Sequence, residues 1–246
     1  SLFCMKNGLK SLPTEPKIIS IYLTHLSKTY KFSTLKRRIA SIKVVHKAKG
    51  HYLDAKHPII IENLLGIKRI NGSIQRSKKP LLINDLKVII NVIDKYNKFE
   101  SKRIRDKALI LIGFSGGFRR SELVNIEYED LEFVNEGMKI LIKRSKTDQS
   151  GEGMIKAIPY FNNKNYCPII SIIKWIKFNN ITQGKIFNLS DKSVSLIIKK
   201  YALLAGLNPN IYGGHSLRSG FATSAAEAGA EERNIMAMTG HKTTQM

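Results

Sequence analysis

The segment Gly116-Gly117-Phe118-Arg119-Arg120-Ser121-Glu122-Leu123 follows a helically spaced apolar run that includes Ala108, Leu109, Leu111 and Ile112. Paired glycines let the chain turn sharply. Arg119 then opens a second helix, where its guanidinium can be held rigidly at a pocket wall. Glu122, three residues on, lies on the same helical face and can orient it. Taken alone, an Arg–Glu pair at this spacing is usually a surface pair worth about 0.3–0.5 kcal/mol. Its weight comes from two further segments.

Lys143-Arg144-Ser145-Lys146-Thr147-Asp148 lies between two short predicted strands, Lys139–Ile142 and Met154–Ile158, whose polar turn over Ser145–Gly153 predicts a hairpin. Lys146 at such a tip can swing into a neighbouring site as a general acid; a solvated hairpin lysine is the plainer local reading. The third segment, His215-Ser216-Leu217-Arg218, follows Gly213-Gly214, and Thr239-Gly240-His241 comes after it. His215 and Arg218 face one way on a helix, and His215 sits at its start, where free N–H groups and the dipole attract anions. Metal binding is a poor alternative, because arginine is no ligand and no Cys or carboxylate cluster accompanies the histidines. Arg119, Lys146, His215, Arg218 and His241 together supply two guanidinium forks, an ammonium and two imidazoles. That collection suits a phosphodiester whose non-bridging oxygens gain charge in the transition state. No paired carboxylates suggest a two-metal nuclease, so the chemistry implied is metal-free phosphoryl transfer.

Composition agrees. The 41 Lys plus Arg against 19 Asp plus Glu give a net charge of +22 and a pI of about 10. Such a field favours polyanions, of which DNA and RNA are the commonest, although ribosomal or membrane-surface proteins share it. Apolar runs such as Ile59–Ile61 and Ala108–Gly113 are too short to span a bilayer, and no cleavable leader is evident. Cys4 and Cys167 share no metal-ligand spacing and read as free thiols in a reduced cytoplasm. The expected setting is cytoplasmic and nucleoid-associated, with no membrane partner.

Two blocks separate at Asn71–Pro80, a turn-rich basic stretch with little apolar content and no acid. Before it, Thr14-Glu15-Pro16 offers a cap and a first-turn proline ahead of Ile18, Ile19, Tyr22, Leu23 and Leu26. Ser33 is the expected cap of a second helix striped by Leu35, Ile39, Ile42 and Val45. Lys36, Arg37, Arg38, Lys43, Lys47 and Lys49 lie largely off that stripe, and residues 31–50 contain no acid. A solvated face usually mixes both signs; a one-signed face suits phosphates flanking a groove. A third helix is expected around Ile59–Arg69. After the basic stretch, helices are expected at Leu81–Tyr96, Arg103–Gly113, Pro168–Phe178, Ser193–Ala205, Ser216–Ala228 and Glu231–Met238. The fold class is thus mainly α with a small antiparallel β-sheet in the second domain. The expected boundaries are 1–74 for a helical DNA-binding domain, 75–80 for a basic linker and 81–246 for a catalytic domain. Arg76, Lys78 and Lys79 of the linker join Lys36, Arg37, Arg38, Lys43 and Lys47 as expected DNA contacts.

The order Gly-Phe-Arg-Arg-Ser-Glu-Leu, Arg-Ser-Lys-Thr-Asp, His-Ser-Leu-Arg-Ser-Gly-Phe-Ala-Thr and Thr-Gly-His-Lys-Thr-Thr-Gln-Met resembles the catalytic signature of the tyrosine recombinases, or phage integrases. The basic N-terminal helices resemble that family's core-binding domain, so the resemblance covers nearly the whole chain. It implies that Arg119 and Arg218 clamp the scissile phosphate and that Lys146 protonates the departing 5′ oxygen. It also implies proton transfer by His215, a hydrogen bond from His241 to a non-bridging oxygen, and support of Arg119 by Glu122. A tyrosine would attack, giving a 3′-phosphotyrosyl link that a 5′ hydroxyl later reverses, with no ATP, metal or other cofactor. The implied architecture is a C-shaped two-domain clamp on double-stranded DNA, working as a homo-tetramer on two sites.

By family spacing the nucleophile falls roughly nine residues beyond the last histidine, at about position 250. Tyr22, Tyr30, Tyr52, Tyr96, Tyr128, Tyr160, Tyr166, Tyr201 and Tyr212 all precede His241. Ser1-Leu2-Phe3 reads as mid-helix. The expectation is a fragment, trimmed or broken, that binds DNA without cleaving it. Three rivals stand beside it. A type IB topoisomerase shares the chemistry, a non-catalytic DNA-binding protein shares the missing nucleophile, and an RNA-binding module shares the charge. The last leaves the ordered Arg/Lys/His/Arg/His set unexplained and lacks aromatic stacking motifs.

Overall fold

The structure is a computed structural model and describes residues 1–72, 78–96, 98–143 and 153–240. The chain divides into two compact units, Ser1–Arg76 and Ser77–Met246.

The first unit is helical: α1 (Leu2–Lys6), α2 (Pro16–Ser27), α3 (Phe32–Ala48) and α4 (Pro58–Asn71). Pro16 and Pro58 each open a helix, where their missing N–H costs nothing. Ile19 and Leu23 of α2, Leu35 and Ile39 of α3, and Ile60, Leu64 and Ile67 of α4 close a core with Leu53. Asn63 and Asn71 of α4 add side-chain bonds to Thr24 Oγ1 and the Ser27 carbonyl. Two local expectations fail. Neither α2 nor α3 has the expected side-chain cap: Glu15 and Lys31 occupy the cap positions, and neither side chain makes a capping bond. The apolar stripe of α3 also stops short, because Val45 is 52% exposed while His46 is buried in its place. The His46 ring is held at both nitrogens. Its Nε2 accepts from Thr14 N–H at 3.0 Å, and its Nδ1–H donates to the Ile42 carbonyl at 2.8 Å. Satisfying both polar atoms makes a buried imidazole tolerable.

In the second unit, α5 (Ile83–Tyr96) buries Leu86, Ile89, Ile90 and Ile93 at helical spacing. Next comes α6 (Glu100–Ser115), whose residues from Ala108 to Ser115 are all buried, so it forms the centre of the unit. The short α7 (Arg120–Val124) follows, and then a sheet of β1 (Leu131–Val134), β2 (Gly137–Ile142) and β3 (Met154–Pro159). The strands are antiparallel in the order β1-β2-β3, and Ile142 pairs with Met154 at the head of the expected hairpin. The sequence pattern left β1 unread. Four residues alternate too briefly to register, and β1 exists through its pairing with β2. The remaining helices are α8 (Pro168–Phe178), α9 (Asp191–Leu204), α10 (His215–Glu227) and α11 (Glu232–Thr239). Helices α5, α7, α8, α9 and α10 all pack against α6. The result is a mainly α chain with a small three-stranded antiparallel sheet.

Candidate active site

The turn that begins the site has a steric cause. Gly117 has φ +55°, a left-handed conformation that a β-carbon strains, and it brings the chain from the end of α6 to Arg119 at the cap of α7. Glu122 holds the arginine twice. Its Oε1 accepts from Arg119 Nη1 at 2.6 Å, and its Oε2 accepts from the Arg119 backbone N–H at 2.9 Å. The Glu122 side chain is 1% exposed. The pair is therefore internal, and the surface-pair estimate does not apply to it.

Arg218 lies one turn into α10 and is 2% exposed, with Nη1 donating to the Gly117 carbonyl at 2.9 Å. The carbonyl of the glycine that turns the chain toward one arginine thus receives the other. Arg119 Nη2 in turn donates to the Gly240 carbonyl at 3.3 Å, which fixes the residue preceding His241 against the first guanidinium. Burial, with Arg119 nearby and against the pull of Glu122, lowers the Arg218 pKa to about 10. His215 is exposed at the first position of α10. Partial desolvation and then the positive charges of Arg218, Arg119 and Arg120 push its pKa below the ordinary imidazole value, which favours the neutral ring that can accept a proton.

Two more cations belong to this cluster and have no counterpart in the motif reading. Arg120 lays its side chain over Gly214, and its guanidinium is 4.0 Å from Asp191. Lys156 of β3 is wholly buried. Its Nζ donates to the carbonyls of Gly116 at 2.7 Å and Met238 at 2.5 Å, and lies 3.9 Å from Glu122 Oε2. Strand alternation contained a signal for it, since Lys156 is in phase with Met154 and Ile158. The opposite phase, Ile155 and Ala157, is equally apolar, so the sequence did not say which face turns inward.

Lys143, the residue after β2, has its Nζ 2.6 Å from Glu127 Oε2 and 2.9 Å from Asp130 Oδ1, and these carboxylates raise its pKa. The strand is therefore anchored at the residue before 144–152. Lys146, His241 and Arg76 lie outside the described residues. Tyr212, the tyrosine nearest the His215 motif, is 1% exposed and donates its hydroxyl to Asp85 Oδ2 at 2.7 Å. Burial and then Asp85 push its pKa up to about 12, which suits a packing role and not an attacking phenolate.

On α3, Lys36, Arg37, Arg38, Lys43 and Lys47 are all exposed. Lys36 Nζ stands 5.2 Å from the Phe32 ring centroid and the Arg38 guanidinium 5.9 Å from that of Tyr30. Lys78 and Lys79, also exposed, are tied into the second unit: Lys78 Nζ donates to the Asn210 carbonyl and Lys79 N–H to the Ile211 carbonyl. Among the described residues, no three His, Cys, Asp or Glu side chains gather as a metal site. Among them, too, no helix is long and apolar enough to cross a membrane.

Residues 80–246 match the model of the phage integrase family. An integrase/recombinase described as a xerD homolog, from Selenomonas ruminantium, is 39% identical over 259 aligned residues that take in 99% of this chain and 75% of that protein. In fold, the chain resembles the XerH site-specific recombinase bound to its difH substrate in a post-cleavage complex, with a TM-score of 0.70 at 20% identity, covering 94% of this chain and 67% of that one. It also resembles a lambda integrase tetramer bound to a Holliday junction, with a TM-score of 0.60 at 16% identity, covering 95% of this chain and 66% of that one. A family model that spans residues 80–246, and a relative of such identity along almost the entire chain, lead to one conclusion: this protein belongs to the phage integrase family of tyrosine recombinases.

Proposed function

We propose that the chain grips double-stranded DNA and holds one scissile phosphate for site-specific strand exchange. The observation that carries this reading is the convergence of Arg119, Arg218 and the Gly240 carbonyl around the Gly117 turn, from chain segments about a hundred residues apart. Two guanidinium groups fixed by buried partners are preorganised for the charge that develops on non-bridging oxygens. In this reading Arg119 and Arg218 clamp those oxygens, with Glu122 orienting Arg119. His215, biased toward its neutral form, accepts the proton of the attacking hydroxyl. Lys146 protonates the departing 5′ oxygen, and His241, next to the residue held by Arg119, binds a non-bridging oxygen. The attack comes from a tyrosine and leaves a 3′-phosphotyrosyl link, which a 5′ hydroxyl of the partner duplex reverses. The burial of Tyr212 argues against that residue as the attacking tyrosine. The first unit serves as the DNA-binding domain, with the one-signed face of α3 on phosphates and Lys78 and Lys79 as further contacts. The assembly on two sites is a homo-tetramer.

The test uses the full-length protein encoded by the source gene and a nicked duplex selected for binding from a random-sequence pool. A covalent adduct at a 3′ phosphate is expected. Arg119→Ala and Arg218→Ala should each slow its formation on the order of 10²-fold or more. Near-normal cleavage by either variant refutes its assigned role. Binding without any adduct makes the protein a non-catalytic DNA binder; relaxation of supercoils without joining of two duplexes makes it a topoisomerase.

A further inference from the structure

Lys156 sits on the inward face of β3, paired with Ile140 of β2. An ammonium carries three donors and no acceptor, so a buried one must find several oxygens. The carbonyls of Gly116 and Gly117, 2.7 and 3.4 Å from Nζ, follow the end of α6; that of Met238, at 2.5 Å, belongs to the last turn of α11. Carbonyls at a helix end lack amide partners from their own helix and carry the negative end of its dipole. Two helix C-termini therefore meet on one cation. The Phe118 ring lies 4.5 Å from it, and Glu122 Oε2 stands 3.9 Å away.

We infer that Lys156 is a positioning residue of the strand-exchange pocket, its ammonium tying the Gly116–Gly117 turn that presents Arg119 to the end of α11 that leads into His241. The inference rests on the roles proposed above for the two arginines, through which Lys156 acts. An apolar side chain of equal length fills the same space but leaves the carbonyls of two helix ends without this donor. The turn and the end of α11 then lose one tie between them while the Arg119–Gly240 bond remains, and a displacement of about 1 Å in a positioning group can cost 10²-fold in rate. Among the described residues, the charged groups that act on the ammonium are Glu122 of α7, Arg218 of α10 and Arg119 at the cap of α7. Burial and the two arginines push the Lys156 pKa down to about 7, against the opposing pull of Glu122. An anion held between the arginines offsets their repulsion, so DNA binding should draw a proton onto Lys156.

Lys156→Met in the full-length protein removes the ammonium and keeps the reach of the side chain. It is expected to bind the selected nicked duplex within about threefold of wild type while single-turnover cleavage slows on the order of 10- to 10²-fold. Its pH–rate profile should lack the inflection expected of wild type at about pH 7. Hydrogen exchange at the Gly240 amide, which donates to the Met236 carbonyl, should quicken. In wild type, lysine-selective ¹⁵N NMR should show the Lys156 titration midpoint moving to higher pH when the duplex binds. Cleavage by the variant at the wild-type rate and with the wild-type profile overturns the inference. So does a Lys156 midpoint that ignores DNA, and this measurement decides the matter if the variant fails to fold. A wild-type protein that forms no adduct refutes the recombinase reading instead, and the NMR response then still decides for or against Lys156.

Discussion

Glu122 neutralises more than one cation: it accepts two hydrogen bonds from Arg119 and lies 3.9 Å from the Lys156 ammonium, with its side chain 1% exposed. Removing one partner of a buried ion pair leaves the other charge uncompensated. Glu122→Ala should therefore destabilise the protein by about 3–5 kcal/mol, read from urea unfolding. A loss below about 1 kcal/mol would return the pair to the surface class. Lys156 adds a pH signature. Its pKa is about 7 in the folded protein against 10.5 for an ordinary lysine, so between these values the unfolded chain binds the extra proton. Stability from this group thus rises with pH from about 7 toward 10 and is lost as pH falls through 7. Urea midpoints taken from pH 7 to 9 should climb in wild type and flatten in Lys156→Met. At this scale the sequence displayed the Arg119–Glu122 spacing and the His215–Arg218 pair. It did not display that Glu122 is buried or that a lysine of β3 reaches it.

Element boundaries were legible wherever one apolar face repeats for several turns. Pro168–Phe178 forms over the expected residues, and α5, α9, α10 and α11 begin and end within about two residues of expectation, the usual fraying range. The side-chain caps expected for α2 and α3 were not realised, because a cap requires a particular backbone angle and not merely a suitable residue. In α10, Gly220 passes so close to the chain entering α5 that an added β-carbon would lie 2.0 Å from the Leu81 carbonyl oxygen. Gly220→Ala should cost about 1–3 kcal/mol by overpacking, measured as a lowered unfolding midpoint. The acid-free face of α3 makes a different prediction. Replacing Lys36, Arg37 and Arg38 together by Gln should weaken DNA binding across all sequences alike. It should also reduce the salt slope by about 0.9 for each phosphate that is no longer neutralised. A change confined to one preferred sequence would mean base recognition instead.

For the whole molecule, the charge of +22 on 246 residues sets how it meets a polyanion. Log affinity for duplex DNA should fall linearly with log salt concentration, steeply enough to lose on the order of 10³-fold between 50 and 200 mM if roughly six phosphates are neutralised. Binding that ignores salt would rule out a phosphate-dominated grip. Each unit has its own apolar core, one built on α2, α3 and α4 and the other around α6. A chain of residues 1–246, incubated with the nicked duplex, should bind it without forming an adduct. The tyrosine nearest the motif in sequence is buried on Asp85, and an adduct mapped to any of the nine tyrosines would contradict the proposed chemistry.

By itself the sequence determined the fold class, most of the helices, the β2–β3 pair and the family. Periodicity, turn residues and charge act over a few neighbours and can be read along the chain. Only the tertiary structure decided which face of β3 turns inward. It also decided that the Arg119–Glu122 pair is internal and that Arg218 closes on the Gly117 carbonyl. The partners in those pairings come from afar: Lys156 meets Gly116 across 40 residues and Met238 across 82, and Arg218 meets Gly117 across 101. Whether a charge is buried or solvated depends on which distant oxygens arrive beside it, and no local pattern carries that information.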